Sequence, residues 1–111
     1  MDLKKNKSWF YAAELSELKE NFPHKVTIDK ADIFLLRQEN EVIAVGNECP
    51  HLGAPLHEGF VSGDQVICPW HNARFNLNNG EPVSPPALEG LPVYESRVEE
   101  GAVFIRFQKT P

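Results

Sequence analysis

Long apolar runs are missing from this 111-residue chain. Nowhere do about 18 apolar residues follow one another, which excludes an ordinary membrane-spanning helix. The amino-terminal segment Met1-Asp-Leu-Lys-Lys-Asn-Lys-Ser-Trp-Phe10 carries charge but no apolar stretch of secretory-signal length. A soluble, cytoplasmic protein is the expectation. Basic residues are also scarce: 11 Lys and Arg stand against 16 Asp and Glu, the net charge is −5, and the one basic cluster is Lys4, Lys5 and Lys7. Nucleic acid and anionic membrane need a positive patch, so neither is expected as a partner. There is no internal repeat or low-complexity segment, and no nucleophile–base pair that would make the chain a catalyst alone. Cysteine occurs only twice. Those two positions are where the chemistry concentrates.

Each cysteine is followed closely by a histidine, in Cys49-Pro50-His51 and in Cys68-Pro69-Trp70-His71, with sixteen residues between His51 and Cys68. Four histidines scattered at random over the chain would produce both spacings with a chance of roughly 0.1%. A lone buried thiol has no reason to keep a histidine at ligand spacing. Two thiolates and two imidazoles on two short loops describe a metal site, either zinc or an iron–sulfur centre. Structural zinc usually takes like ligands from one turn. Here each loop gives one Cys and one His, which suits two metal ions, one on the thiolates and one on the imidazoles. A structural zinc-binding interaction domain is the alternative.

The rest of the chain has the pattern of a small β-protein. Its length allows one domain burying about 65% of the unfolded surface, and 41% of its residues are hydrophobic. Short β-branched and apolar runs predict strands at Trp9–Ala12, Lys25–Ile28, Ile33–Leu36, Val42–Val45, Gln65–Cys68, Val93–Val98 and Ala102–Phe107. Polar turns separate them at 29–32, 39–41 and 99–101. Only Glu14–Glu20 has a helical pattern. The fold class is therefore all-β, a small sandwich or barrel.

The run Cys49-Pro-His-Leu-Gly-Ala-Pro-Leu56, then Gly59-x-Val61-x-Gly63, Val66-Ile-Cys-Pro-Trp-His71-x-Ala-x-Phe75 and Gly80 resembles the cluster-binding half of Rieske-type ferredoxins. The likeness extends from about Trp9 to about Phe107, with its specific motifs in residues 47–87. It implies a single Rieske domain over 1–111. The antiparallel β-sandwich or barrel base would take residues 1–46 and about 88–111, and the smaller inserted cluster-binding subdomain about 47–87. It implies one [2Fe-2S] cluster, with Cys49 and Cys68 on the inner iron and His51 and His71 on the outer.

High-potential members of that family carry two further cysteines, joined in a disulfide, where this chain has Ala54 and Trp70. With both cysteines serving as thiolates, no disulfide can staple these loops. The same members place hydroxyls near the cluster at the positions of Ala73 and Phe75. Losing those hydrogen bonds lowers the potential, and a midpoint of roughly −150 mV is expected. Where many members have glycine after the second histidine, Asn72 stands. Asparagine tolerates a left-handed backbone better than other residues with a Cβ, so the turn is expected to survive.

Gly53, Pro50, Pro55 and Pro69 would shape loops tight enough to aim N–H groups at sulfur. Ser84-Pro85-Pro86-Ala87 resembles the family's proline loop covering the cluster. Trp70, between two ligands, is expected to shield the site from water. His57 and His24 are expected at the surface, and Trp9, Phe10 and Tyr11 in core packing.

The resemblance implies a monomeric one-electron carrier, not an enzyme by itself. It would take electrons from a flavoprotein reductase and deliver them, through the imidazoles, to a terminal oxygenase or similar acceptor. The acidic surface favours transient docking on a basic face. The rival within the same chemistry is a Rieske domain or small subunit of a larger oxidoreductase. Asn72-Ala-Arg-Phe75 and Pro85-Pro-Ala-Leu88 are similar to the module of apoptosis-inducing-factor-like flavin oxidoreductases, and a nitrite reductase subunit is the other form.

Overall fold

Four consecutive apolar residues, Ile33-Phe-Leu-Leu36, break the alternation of a half-buried strand and demand cover on both faces. The computed structural model, which describes residues 9–50, 53–70, 72–84 and 89–107, supplies it: none of the four has any exposure to solvent. They lie on β3 (Ala31–Gln38), which pairs with β2 (His24–Ile28) and β4 (Glu41–Gly46). Ile33 and Leu35 face inward with Ala13, Leu18, Val42, Ala44, Val103 and Ile105. Phe34 and Leu36 face the other way, into a second core shared with both cysteines.

Six antiparallel strands make the larger sheet. β1 (Phe10–Glu14) pairs with β10 (Ala102–Arg106), β10 with β9 (Val93–Glu99), and β9 with β4, giving the order β1-β10-β9-β4-β3-β2. β1 also approaches β2, so the sheet curls nearly shut. Between β4 and β9 the chain leaves to form a second sheet, β5 (Phe60–Ser62), β6 (Gln65–Ile67), β7 (Arg74–Asn76) and β8 (Pro82–Ser84), in that order. Departure and return are adjacent, since the Gly46 N–H donates to the Pro92 carbonyl at 2.9 Å. The all-β antiparallel expectation is met.

Tight turns set the registers. Ile28 pairs with Ala31 across Asp29-Lys30, and both turn residues have positive φ, 50° and 68°. Glu99 pairs with Ala102 across Glu100-Gly101 in the same way, at 51° and 80°. This two-residue turn matches the right-handed twist of paired strands.

The sequence expectation fails at Glu14–Glu20. One 3-10 turn, Leu15–Glu17, replaces the predicted helix, and Leu18 is already extended. Arg37 Nη1 donates to the carbonyls of Leu15 and Leu18 at 3.0 and 3.3 Å, while Leu18 is buried in the base. A seven-residue helix has too few internal bonds to resist such anchoring. β5, β7 and β8 are not among the predicted strands, since none has the adjacent β-branched pair that marks β6.

Trp9 packs, as expected, with Ala102 and Phe104 on the outer face of β10, beneath the guanidiniums of Arg106 and Arg97 at 4.8 and 5.6 Å. Tyr11 departs from expectation. It is half exposed, and its hydroxyl donates to Glu14 at 2.6 Å. His24, expected at the surface, is half-buried at the start of β2.

Candidate metal centre

Both cysteine loops are closed by the same device. The Cys49 N–H donates to the Ala54 carbonyl at 2.9 Å, and the Cys68 N–H donates to the Ala73 carbonyl at 2.7 Å. Each loop is therefore a six-residue unit running from Cys-Pro to Ala. The residue before each alanine has a left-handed backbone, Gly53 at φ 77° and Asn72 at φ 57°, as expected for Asn72. Ala54 and Ala73 are fully buried, where a larger side chain would have to displace the core.

Cys49 and Cys68 are each 1% exposed and neither is in a disulfide. The two thiols are close enough to influence each other, and burial, reinforced by Cys49, pushes the Cys68 thiol up to about 11. The Trp70 amide opposes this by donating to Cys68 Sγ at 3.4 Å. Around the pair lie Phe34, Leu36, Val45, Leu56, Val66, Phe75, Leu77 and Leu91. Two adjacent buried thiols are costly to ionise without a cation, and binding a metal ion is what would displace both protons to solvent. An amide aimed at one sulfur adds the outer hydrogen bonding that such ligands carry. This donor set fits an iron–sulfur cluster.

His51 and His71 lie outside the described residues, as do residues 85–88 of the proposed covering loop. Trp70, expected to shield the site, is 48% exposed. His57 is not the surface histidine expected. It is part-buried, and its backbone N–H and ring Nδ1 both contact the Asn47 side chain, at 2.8 and 2.9 Å. Asn47 escaped the sequence reading. The available signal was a polar residue after the apolar strand β4, two positions before Cys49.

Residues 8–95 match the Rieske [2Fe-2S] domain family. Ferredoxin CarAc of Metapseudomonas resinovorans is 30% identical over 94% of this chain and 98% of its own length. Apoptosis-inducing factor 3 of Homo sapiens is 33% identical over 86% of the chain, which spans only 16% of that protein. Among solved structures, a chain from the complex of reduced oxygenase and oxidized ferredoxin in carbazole 1,9a-dioxygenase superposes with a TM-score of 0.85. The identity there is 30%, covering 96% of this chain and 99% of the other. The paired loops, their buried thiols and these likenesses agree: the chain belongs to the Rieske [2Fe-2S] domain family, which carries one cluster of that type.

Proposed function

We propose that this chain is a soluble, cytoplasmic one-electron carrier, monomeric and organised as a single Rieske domain, with its cluster-bearing part divided from the base near residues 47 and 87. The observation that carries this reading is the side-by-side placement of two buried, unoxidised cysteines on matched loops. Cys49 and Cys68 would hold one iron as thiolates, and His51 and His71 the other as imidazoles. When bound, the cluster supplies reversible one-electron chemistry. The chain's residues do the rest. Phe34, Leu36, Phe75 and Leu77 exclude water from the thiolates, the Trp70 amide donates to the Cys68 sulfur, and the exposed Trp70 ring limits solvent approach.

Partners follow from chemistry and kinship. The relatives covered over nearly their whole length include ferredoxin components of naphthalene dioxygenase systems. The corresponding acceptor here is a terminal oxygenase or similar redox protein, and the donor a flavoprotein reductase. A net charge of −5 favours a partner with a basic face and makes docking salt-sensitive. A second reading, the Rieske module of a larger flavin-dependent oxidoreductase, is favoured by the identity to apoptosis-inducing factor 3. Family membership removes the structural-zinc alternative.

Anaerobic purification tests the reading, with iron and acid-labile sulfide analysis and electron paramagnetic resonance of the reduced protein. Two irons and two sulfides per chain are expected from a [2Fe-2S] centre. Colourless protein, or one divalent ion without sulfide, overturns it. His71→Cys should retain a cluster at lower potential, because thiolate donates more charge than imidazole. An unchanged midpoint would remove His71 from the ligand set.

A further inference from the structure

Asn47 is 2% exposed, the one polar side chain buried with the core among the described residues. All four of its hydrogen-bonding groups are engaged. Its N–H donates to the Asp32 carbonyl at 3.1 Å, and its carbonyl accepts from the Leu56 N–H at 2.8 Å. Its Oδ1 accepts from the His57 N–H at 2.8 Å, and its Nδ2 lies 2.9 Å from His57 Nδ1.

These contacts fix the chemistry of both side chains. A backbone N–H can only donate, so the amide atom facing it is oxygen and the atom facing the ring is the NH2 group. That group donates, so His57 Nδ1 must present a lone pair. The ring proton then sits on Nε2, which points toward Glu58 Oε2 at 3.8 Å.

The pair also closes a ladder. Within residues 47–57, Glu48 bridges Pro55, and the Cys49 N–H donates to Ala54. Asn47 and His57 form the outermost rung, anchored to β3 through Asp32, and Cys49 hangs from the innermost. We propose that Asn47 and His57 are positioning residues, a clamp that holds the first ligand loop in the geometry needed to retain the cluster. This rests on the cluster-carrying reading above. It assigns a role to a histidine that is no ligand.

The test uses the full chain, loaded with its cluster, as wild type, His57→Leu and His57→Asn. Asparagine can place Oδ1 where Nδ1 stands, and leucine cannot accept a hydrogen bond. Bleaching of the visible absorbance by a chelator should be about tenfold faster for His57→Leu, with His57→Asn restored toward wild type. In metal-free protein the Cys49 amide should exchange with deuterium faster in His57→Leu. Bleaching and exchange in His57→Leu equal to wild type, or His57→Asn behaving like His57→Leu, would overturn the clamp. Should His57→Leu not fold, the ring nitrogens of wild type decide: nuclear magnetic resonance must find the proton on Nε2, and a proton on Nδ1 refutes it. A wild type that binds no cluster overturns the carrier reading itself, whereas a loaded wild type with indifferent variants overturns the clamp alone.

Discussion

Gly53 and Asn72 occupy the same place in two copies of one loop, with φ of 77° and 57°, each immediately before the alanine whose carbonyl accepts the cysteine N–H. The left-handed backbone turns the chain back after each Cys-Pro, and its cost depends on the residue that adopts it. Asn72→Gly should be neutral or slightly stabilising, and Asn72→Val should destabilise by about 2 kcal/mol. Gly53→Ala should cost about 1 kcal/mol from backbone strain alone, because its Cβ would lie 3.5 Å from the flexible Glu48 carboxylate, an ordinary contact. Urea unfolding of the metal-free variants measures all three.

Gly59 matters for space rather than conformation. A Cβ there would lie 2.0 Å from the Ile67 carbonyl and 3.1 Å from Pro69, on either side of Cys68. Gly59→Ala should therefore destabilise by about 3 kcal/mol and weaken metal uptake by shifting the second loop. Gly63→Ala is the control. That position has φ 57° but nothing within 4 Å of the added carbon, so only about 1 kcal/mol should be lost. Equal losses in the two variants would refute the steric account.

The metal-free protein should weaken in alkali. Burial and the neighbouring Cys49 raise the Cys68 thiol from 9.0 to about 11, so the fold retains a proton that the unfolded chain releases. That stabilisation is complete below pH 9 and disappears as pH rises through about 11. Under reducing conditions the urea midpoint should fall across this window, and Cys68→Ala should flatten the profile. Tyr11, raised from 10.0 to about 12 chiefly by its hydrogen bond to Glu14, adds a further decline that starts above pH 10 and ends near 12.

Two hydroxyls missing near the thiols can be put back. Ala73 and Phe75 are fully buried in the core that contains both cysteines. Ala73→Ser and Phe75→Tyr should each move the midpoint potential upward, since a hydrogen bond to sulfur favours the more negative reduced state. The metal-free Phe75→Tyr protein should lose about 1–3 kcal/mol, as a hydroxyl enters apolar surroundings. Voltammetry and thermal unfolding check the two halves separately.

What was legible in the sequence followed from strong local chemistry. The Cys and His spacings stood out, the β-branched runs produced β2, β3, β4, β9 and β10, and Asn72 declared its backbone by its type. The illegible parts depended on distant residues. Glu14–Glu20 has helical composition, yet Arg37, from another strand, claims its carbonyls. β5, β7 and β8 are as short as β6 but lack its adjacent Val66 and Ile67, and they are held by pairing with their neighbours. His57 looked like any polar residue after a turn. Only the fold brings the Asn47 side chain to its ring.

The contact between Gly46 and Pro92 has an evolutionary consequence. The segment from 47 to 91 leaves and rejoins the six-stranded sheet at one point, where the outgoing and incoming backbones touch. Loop-closure entropy changes slowly with length, so insertions or deletions at the exposed turns of this segment, away from the residues packed on Phe34 and Leu36, would cost the six-stranded platform little. Selection could therefore vary the exposed turns of this segment without rebuilding the support beneath it.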